Sequence, residues 1–121
     1  MAPHRAPSRR VTEHFRIVWT DTAADDLFAI IDYIALRDSI ASATDVHERI
    51  IDAVDDLETM PRRCRVVPEL HVEGIDAYRE LLVGPYRIVF GVRGTDVVVL
   101  AAIDGRRDLG ELLIERALRQ K

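Results

Sequence analysis

The segment Tyr78-Arg79-Glu80-Leu81-Leu82-Val83-Gly84-Pro85-Tyr86-Arg87-Ile88-Val89-Phe90, followed after Arg93-Gly94-Thr95-Asp96 by Val97-Val98-Val99-Leu100-Ala101-Ala102-Ile103, decides the fold class. It holds three runs rich in β-branched and aromatic residues, Tyr78 to Val83, Tyr86 to Val92 and Val97 to Ile103. The breaker segments between them are so short that consecutive runs must pair as antiparallel neighbours. In the second run Tyr86, Ile88, Phe90 and Val92 alternate with Arg87, Val89 and Gly91, which turns one strongly apolar face toward a packing layer. The third run is apolar on both faces, as in a central strand whose second face is also covered.

Working outward, Phe15 to Thr20 reads as a strand that ends in residues able to cap a helix. Leu27, Ile30, Ile31 and Ile34 then recur at helical spacing, with Asp25 and Asp26 in the first turn and an end near Arg37. After Asp38-Ser39 a second helical stripe runs through Ala43, Val46, Ile50, Val54 and Leu57 until Pro61 forbids continuation. Asp45, Glu48, Asp52, Asp55 and Asp56 on its other side read as a solvated face. Arg62 to Asp76, with Pro68 and Gly74 and no sustained period, reads as a connecting loop with a short extended piece. Leu109 to Leu118 reads as a short C-terminal helix with the cationic end Arg116, Arg119 and Lys121. The fold class is therefore α+β: an N-terminal strand and a helical hairpin packed on a mainly antiparallel β-sheet.

The 121 residues are 48% hydrophobic and 31% charged, which fits one folded domain. Residues 1–14 read as a disordered arm and residues 15–121 as a single domain. The longest apolar run, Val97 to Ile103, falls far short of the roughly 20 residues of a membrane span. No apolar stretch follows the basic start, so no membrane association and a cytoplasmic location are expected. The single cysteine, Cys64, rules out an intrachain disulfide and a cysteine-based zinc site. His4, His14, His47 and His71 lack metal-ligand spacing, so neither metal nor cofactor is expected. The net charge is −4, with +2 in the arm and −6 over residues 15–121, a poor basis for holding nucleic acid by phosphate attraction. Sixteen of the seventeen cations are arginine, the residue suited to bidentate contacts. Trp19 and Tyr33 read as core or sheet-edge packing, and Tyr78 and Tyr86 as cross-strand partners.

The hairpin text Tyr78 to Phe90 with Ile103-Asp104-Gly105-Arg106-Arg107-Asp108 after it closely resembles the RelE/ParE superfamily of bacterial toxins. Ala24-Asp25-Asp26-Leu27 with Ile30, Tyr33 and Ile34, then a second helix ending in Leu57 and Pro61, resembles the opening half of the same family. The likeness runs from about Phe15 to Leu113. It implies the toxin of a type II toxin-antitoxin module of the plasmid stabilisation type. The implied partner is a cognate antitoxin whose C-terminal segment folds as it wraps the toxin, with DNA reached only indirectly through that antitoxin. The superfamily has two branches, ribosome-dependent ribonucleases of the RelE kind and DNA gyrase inhibitors of the ParE kind. In the RelE-like nucleases the strand matching Tyr78 to Val83 supplies two lysines and the terminal helix a tyrosine. This chain has Arg79, Leu81 and Leu113 there, and leucine transfers no proton.

Asp104 stands where another branch has a histidine, and an aspartate there repels phosphate. The ParE-like reading leads, with Arg87, Asp104, Arg106 and Arg107 as candidates for binding target or partner. One alternative is a metal-independent endonuclease acting on mRNA at the ribosome, with Arg79, Arg87 and Arg107 as catalytic, phosphate-stabilising groups. The other is a detoxified relative that only binds an antitoxin. For Arg87 the structural counterpart of either role is an ion pair with Asp104 or another carboxylate across the sheet.

Overall fold

The computed structural model describes residues 14–106 and 109–119. Strand β1 (Arg16–Trp19) leads through Thr20 into helix α1 (Asp21–Arg37), and Asp38-Ser39 turns the chain back into α2 (Ile40–Asp55). Hydroxyls cap both helices. Thr20 Oγ1 accepts from the Ala23 N–H at 3.1 Å and Ser39 Oγ from the Ser42 N–H at 3.0 Å, satisfying donors that a first helical turn leaves open. The chain continues through the 3-10 turn Asp56–Glu58, a second such turn at Pro61–Arg63, β2 (Arg65–Val66) and a one-turn helix α3 (Pro68–His71). Strands β3 (Tyr78–Val83), β4 (Tyr86–Arg93) and β5 (Asp96–Asp104) and helix α4 (Gly110–Arg119) complete the domain.

The segment read as a loop, Arg62 to Asp76, thus holds a 3-10 turn, an edge strand and a short helix. Each is too short for a period to show in the sequence. The second helix also stops earlier than Pro61 requires, because Asp56–Glu58 already tightens to 3-10 geometry with Leu57 buried.

The strand order is β1-β5-β4-β3-β2, parallel only between β1 and β5. Leu27, Ile50 and Val54 of the hairpin share a core cluster with Ile88, Phe90, Val97 and Val99 on one face of the sheet. On the other face Leu70, Leu109, Leu113 and Ala117 cluster with Val89, Leu100, Ala101 and Ile103, so α3 and α4 are the cover that the doubly apolar β5 requires. All five acidic residues named on the outer side of α2 and the turn after it are exposed.

A β-bulge decides what happens at the β5 edge. Phe90 pairs with Val99 but Val89 with Ala101, so Leu100 is the extra residue and the hydrogen-bonding parity of β5 reverses beyond it. Since β1 ends opposite Val99, the Ala102 N–H and Leu100 C=O face outward without a strand partner. Asp26 of α1 accepts the Ala102 N–H at 3.1 Å, and Arg116 of α4 donates to the Leu100 carbonyl at 3.3 Å. The two side chains close on each other at 2.7 and 3.0 Å, a clasp around the sheet edge that ties the two helical layers together. Arg116→Ala strips the Leu100 carbonyl of its side-chain donor and leaves the Asp26 carboxylate without its counter-charge, with only the Ala102 N–H. The expected loss is about 2–3 kcal/mol, read as a fall in Tm of roughly 8–12 °C by circular dichroism.

Candidate functional site

Arg87 is the most constrained of the residues the sequence singled out. Val83 pairs with Tyr86 across the turn Gly84-Pro85, where Gly84 takes φ 57°, a conformation favouring glycine. That register sets Leu82 opposite Arg87 and Glu80 opposite Val89, so Glu80 and Arg87 are diagonal neighbours on the face covered by α3 and α4. Arg87 Nε donates to Glu80 Oε1 at 2.7 Å, while Nη1 and Nη2 donate to the two oxygens of Glu69 on α3, each at 2.6 Å. Glu80 also accepts from Arg65 Nε at 2.6 Å. Glu80 is 2% and Arg87 8% exposed, an enclosed pair whose outer partners, Glu69 and Arg65, reach solvent. Gly105 lies against it: a Cβ there would fall 2.7 Å from both Cγ and Cδ of Arg87.

Of the partners expected for Arg87, Asp104 or another carboxylate across the sheet, Arg87 uses the second, Glu80 on β3. Asp104 instead accepts from Arg106, at 2.9 Å from Nε and 2.5 Å from Nη2. The Arg87 guanidinium thus has a structural part, clipping α3 and β3 to β4. Its hydrogen bonds with Glu69 hold the Glu69 carboxyl below the ordinary glutamate range, and the same bonds raise the Arg87 pKa further above its ordinary value. A depressed carboxylate contributes stability that is complete above the unfolded-state pKa and is lost as pH falls through the folded-state pKa. Tm is therefore expected to hold level from neutral pH to about pH 5 and to fall below about pH 4, and Glu69→Gln to flatten part of that fall.

Arg79 sits elsewhere. Arg79 pairs with Phe90 and Leu81 with Ile88, so Arg79 lies on the hairpin side of the sheet, opposite to Glu80 and Arg87. Its Nη1 donates to the Cys64 carbonyl at 2.6 Å. The structure does not bring Arg79 and Arg87 together as one phosphate-binding pair. Arg107 lies outside the described residues.

Asp104 and Arg106 do meet other functional candidates. They border a groove of about 480 Å³ between α1 and the end of β5, lined also by Asp26, Ile30, Tyr33 and Tyr86. The hydrogen bond to Asp104 raises the Arg106 pKa above its ordinary value. Tyr33, expected in the core or at a sheet edge, is 60% exposed with the Arg37 guanidinium 5.2 Å from its ring centroid. Trp19 packs against the hairpin-side core, as expected. The groove offers two tyrosine rings, two carboxylates and a cation on one open surface, a set suited to gripping a protein. Among the described residues no three His, Cys, Asp or Glu side chains group as metal ligands, and no helix is long and apolar enough to cross a membrane.

The sequence reading allowed a carboxylate across the sheet for Arg87 without naming Glu80, and it missed Glu69. Glu80 was readable in principle, since a two-residue turn at Gly84-Pro85 sets the diagonal; Glu69 was not, because nothing local positions α3 over β4.

Residues 17–109 match the family model for the ParE toxin of the type II toxin-antitoxin system parDE. The chain belongs to the ParE toxin family. A solved structure titled as a chromosomal ParDE toxin-antitoxin system from P. aeruginosa shares the fold, with a TM-score of 0.64 and 22% identity over 77% of this chain and 98% of that one. No curated protein sequence matches significantly. The ParE match takes in β1 through β5 and stops before α4, so the helix that supplies Leu113, Arg116 and Ala117 lies beyond the family segment.

Proposed function

We propose that this ParE-family toxin acts by binding and inhibiting DNA gyrase in the cytoplasm, that a cognate antitoxin neutralises it, and that the pair serves as a plasmid stabilisation module. One observation carries the reading. Where the RelE-like nucleases it resembles need proton-transfer groups, this chain has Leu81, half-buried under the hairpin, and Leu113, fully buried under the sheet, while Arg87 is closed off by Glu69 and Glu80. Metal-free RNA cleavage needs a base, an acid and a stabilised phosphorane, and these side chains supply neither of the first two. A toxin that works by docking needs none of them. The surface available for docking is the groove beside Asp104 and Arg106 together with Phe28, Leu36 and Ile40, which stand exposed on the helical hairpin.

The test is to add the purified chain to gyrase supercoiling and cleavage-complex assays, run beside translation-coupled mRNA cleavage. Loss of supercoiling with accumulating cleavage complexes and intact mRNA is expected. Codon-dependent mRNA cleavage with active gyrase would establish the endonuclease in its place, and silence in both assays the detoxified binder. Within the gyrase reading, Tyr33→Ala is expected to weaken inhibition about tenfold or more, as for an interface anchor, with Tm within about 2 °C of the parent.

A further inference from the structure

Seven of the described arginines are matched to a carboxylate. Arg16, Arg49, Arg65, Arg87, Arg106, Arg116 and Arg119 each form an ion pair with a carboxylate. Arg37, over the Tyr33 ring, stands alone on α1 without one, whereas Arg62, Arg63 and Arg79 lack one together around β2, although acidic residues outnumber basic ones in the chain, 21 to 17. Their partners are an aromatic ring, a thioether and a carbonyl: Arg62 lies 5.8 Å from the Phe15 ring centroid, Arg63 Nη1 is 4.0 Å from Met60 Sδ, and Arg79 Nη1 bonds the Cys64 carbonyl. None of these neutralises a charge.

The three cations are also held in place. Met60 takes the left-handed conformation at φ 55°, a position unusual for a side-chain-bearing residue, and Pro61 behind it is fully buried. Together they anchor the 3-10 turn that carries Arg62 and Arg63 at the surface. Arg79 is fixed by its strand and its 2.6 Å bond. Cys64 follows Arg63 in the chain and its carbonyl accepts from Arg79; burial pushes its thiol up, and the guanidinium charges of Arg79 and Arg63 pull it partly back. Ordering long arginine side chains ahead of binding removes an entropic cost that a ligand must otherwise overcome.

We propose that Arg62, Arg63 and Arg79, around Cys64 at the start of β2, form a carboxylate-binding corner that takes a short acidic segment of a protein partner. Charge complementarity selects the ligand. A guanidinium with open N–H groups binds carboxylate or phosphate. The neighbouring surface separates the two, because the exposed Asp52, Asp55, Asp56 and Glu58 lead directly into the arginine turn. A nucleic-acid strand carries a charge at every nucleotide and meets that acidic ridge as it leaves the corner. A peptide can confine its carboxylates to the corner and set an apolar residue against Met60, which is 56% exposed. The corner goes beyond the gyrase reading and does not depend on it.

The experiment measures fluorescence anisotropy of labelled hexaglutamate on the full chain at low salt, with a dT12 oligonucleotide in parallel. Hexaglutamate is expected to bind, to weaken about tenfold or more in Arg63→Glu and in Arg79→Gln, and to be unchanged in Arg119→Ala, since one lost charge-assisted contact of that size is a tenfold effect. Arg79→Lys, which keeps the cation, is expected to restore much of the loss. Circular dichroism confirms the fold of each variant, and Arg63→Glu, at an exposed position, keeps the test valid if Arg79→Gln does not fold. Equal hexaglutamate affinity in parent and Arg63→Glu would overturn the proposal. So would dT12 binding more tightly than hexaglutamate through the same arginines, which would make the corner a nucleic-acid site. Neither readout involves gyrase, so failure here and failure of the gyrase assay are separate results.

Discussion

Ile88→Asp is expected to abolish cooperative unfolding. Ile88 has no exposed surface and lies on the face of β4 that packs beneath the helical hairpin, with Ile50, Val54 and Phe90 in the same core cluster. The substitution removes apolar burial worth about 2–3 kcal/mol and puts an unpaired carboxylate, costing several kcal/mol, in its place. The sum is of the order of the whole stability of a small domain, about 5–15 kcal/mol. Thermal melting by circular dichroism should lose its sigmoid, and limited proteolysis should cut throughout the chain. Leu82→Asp, on the neighbouring strand but 54% exposed, is the matched control and should shift stability by no more than about 0.5–1 kcal/mol. A cooperatively folded Ile88→Asp protein would show that this face of β4 is not the core.

The second large effect is expected at Glu80. Glu80→Ala leaves Arg87 enclosed with half of its counter-charge gone and deprives Arg65 of its carboxylate. Breaking a buried pair from one side costs about 3–5 kcal/mol, because the remaining charge keeps its desolvation penalty. The double change Glu80→Leu with Arg87→Met removes the charge along with the need to solvate it, and should recover most of that loss. Urea denaturation of the two single variants and the double variant closes the cycle. A loss below about 1 kcal/mol for Glu80→Ala would mean that water reaches the network and that Arg87 is available to ligands after all.

The same contrast separates what could be read from the residues in order from what could not. The layers, and the types and most boundaries of the long elements, follow from local rules. Alternation in Tyr86 to Val92, unbroken apolarity in Val97 to Ile103 and helical stripes through Leu27 and Ile50 each tie a residue to a face, and the two hairpin turns tie neighbouring strands to each other. The family likeness rested on that order and spacing, and the match over residues 17–109 agrees with it.

The roles of the arginines were of another kind. Arg79 and Arg87 look alike in the sequence, eight positions apart on adjoining strands, yet one faces the hairpin and the other faces α3 and α4. Which carboxylate each arginine meets depends on segments far away in the chain: Glu69 on a one-turn helix without a period, and Asp26 closing on Arg116 across 90 residues. The sequence by itself determined which faces are apolar and hence the α+β layers and the family, because hydrophobic periodicity is a local property of the chain. Only the tertiary structure decided which of its many charges are neutralised within the fold and which are left for a partner, because a Coulomb interaction depends on distance and burial in space and not on separation along the chain.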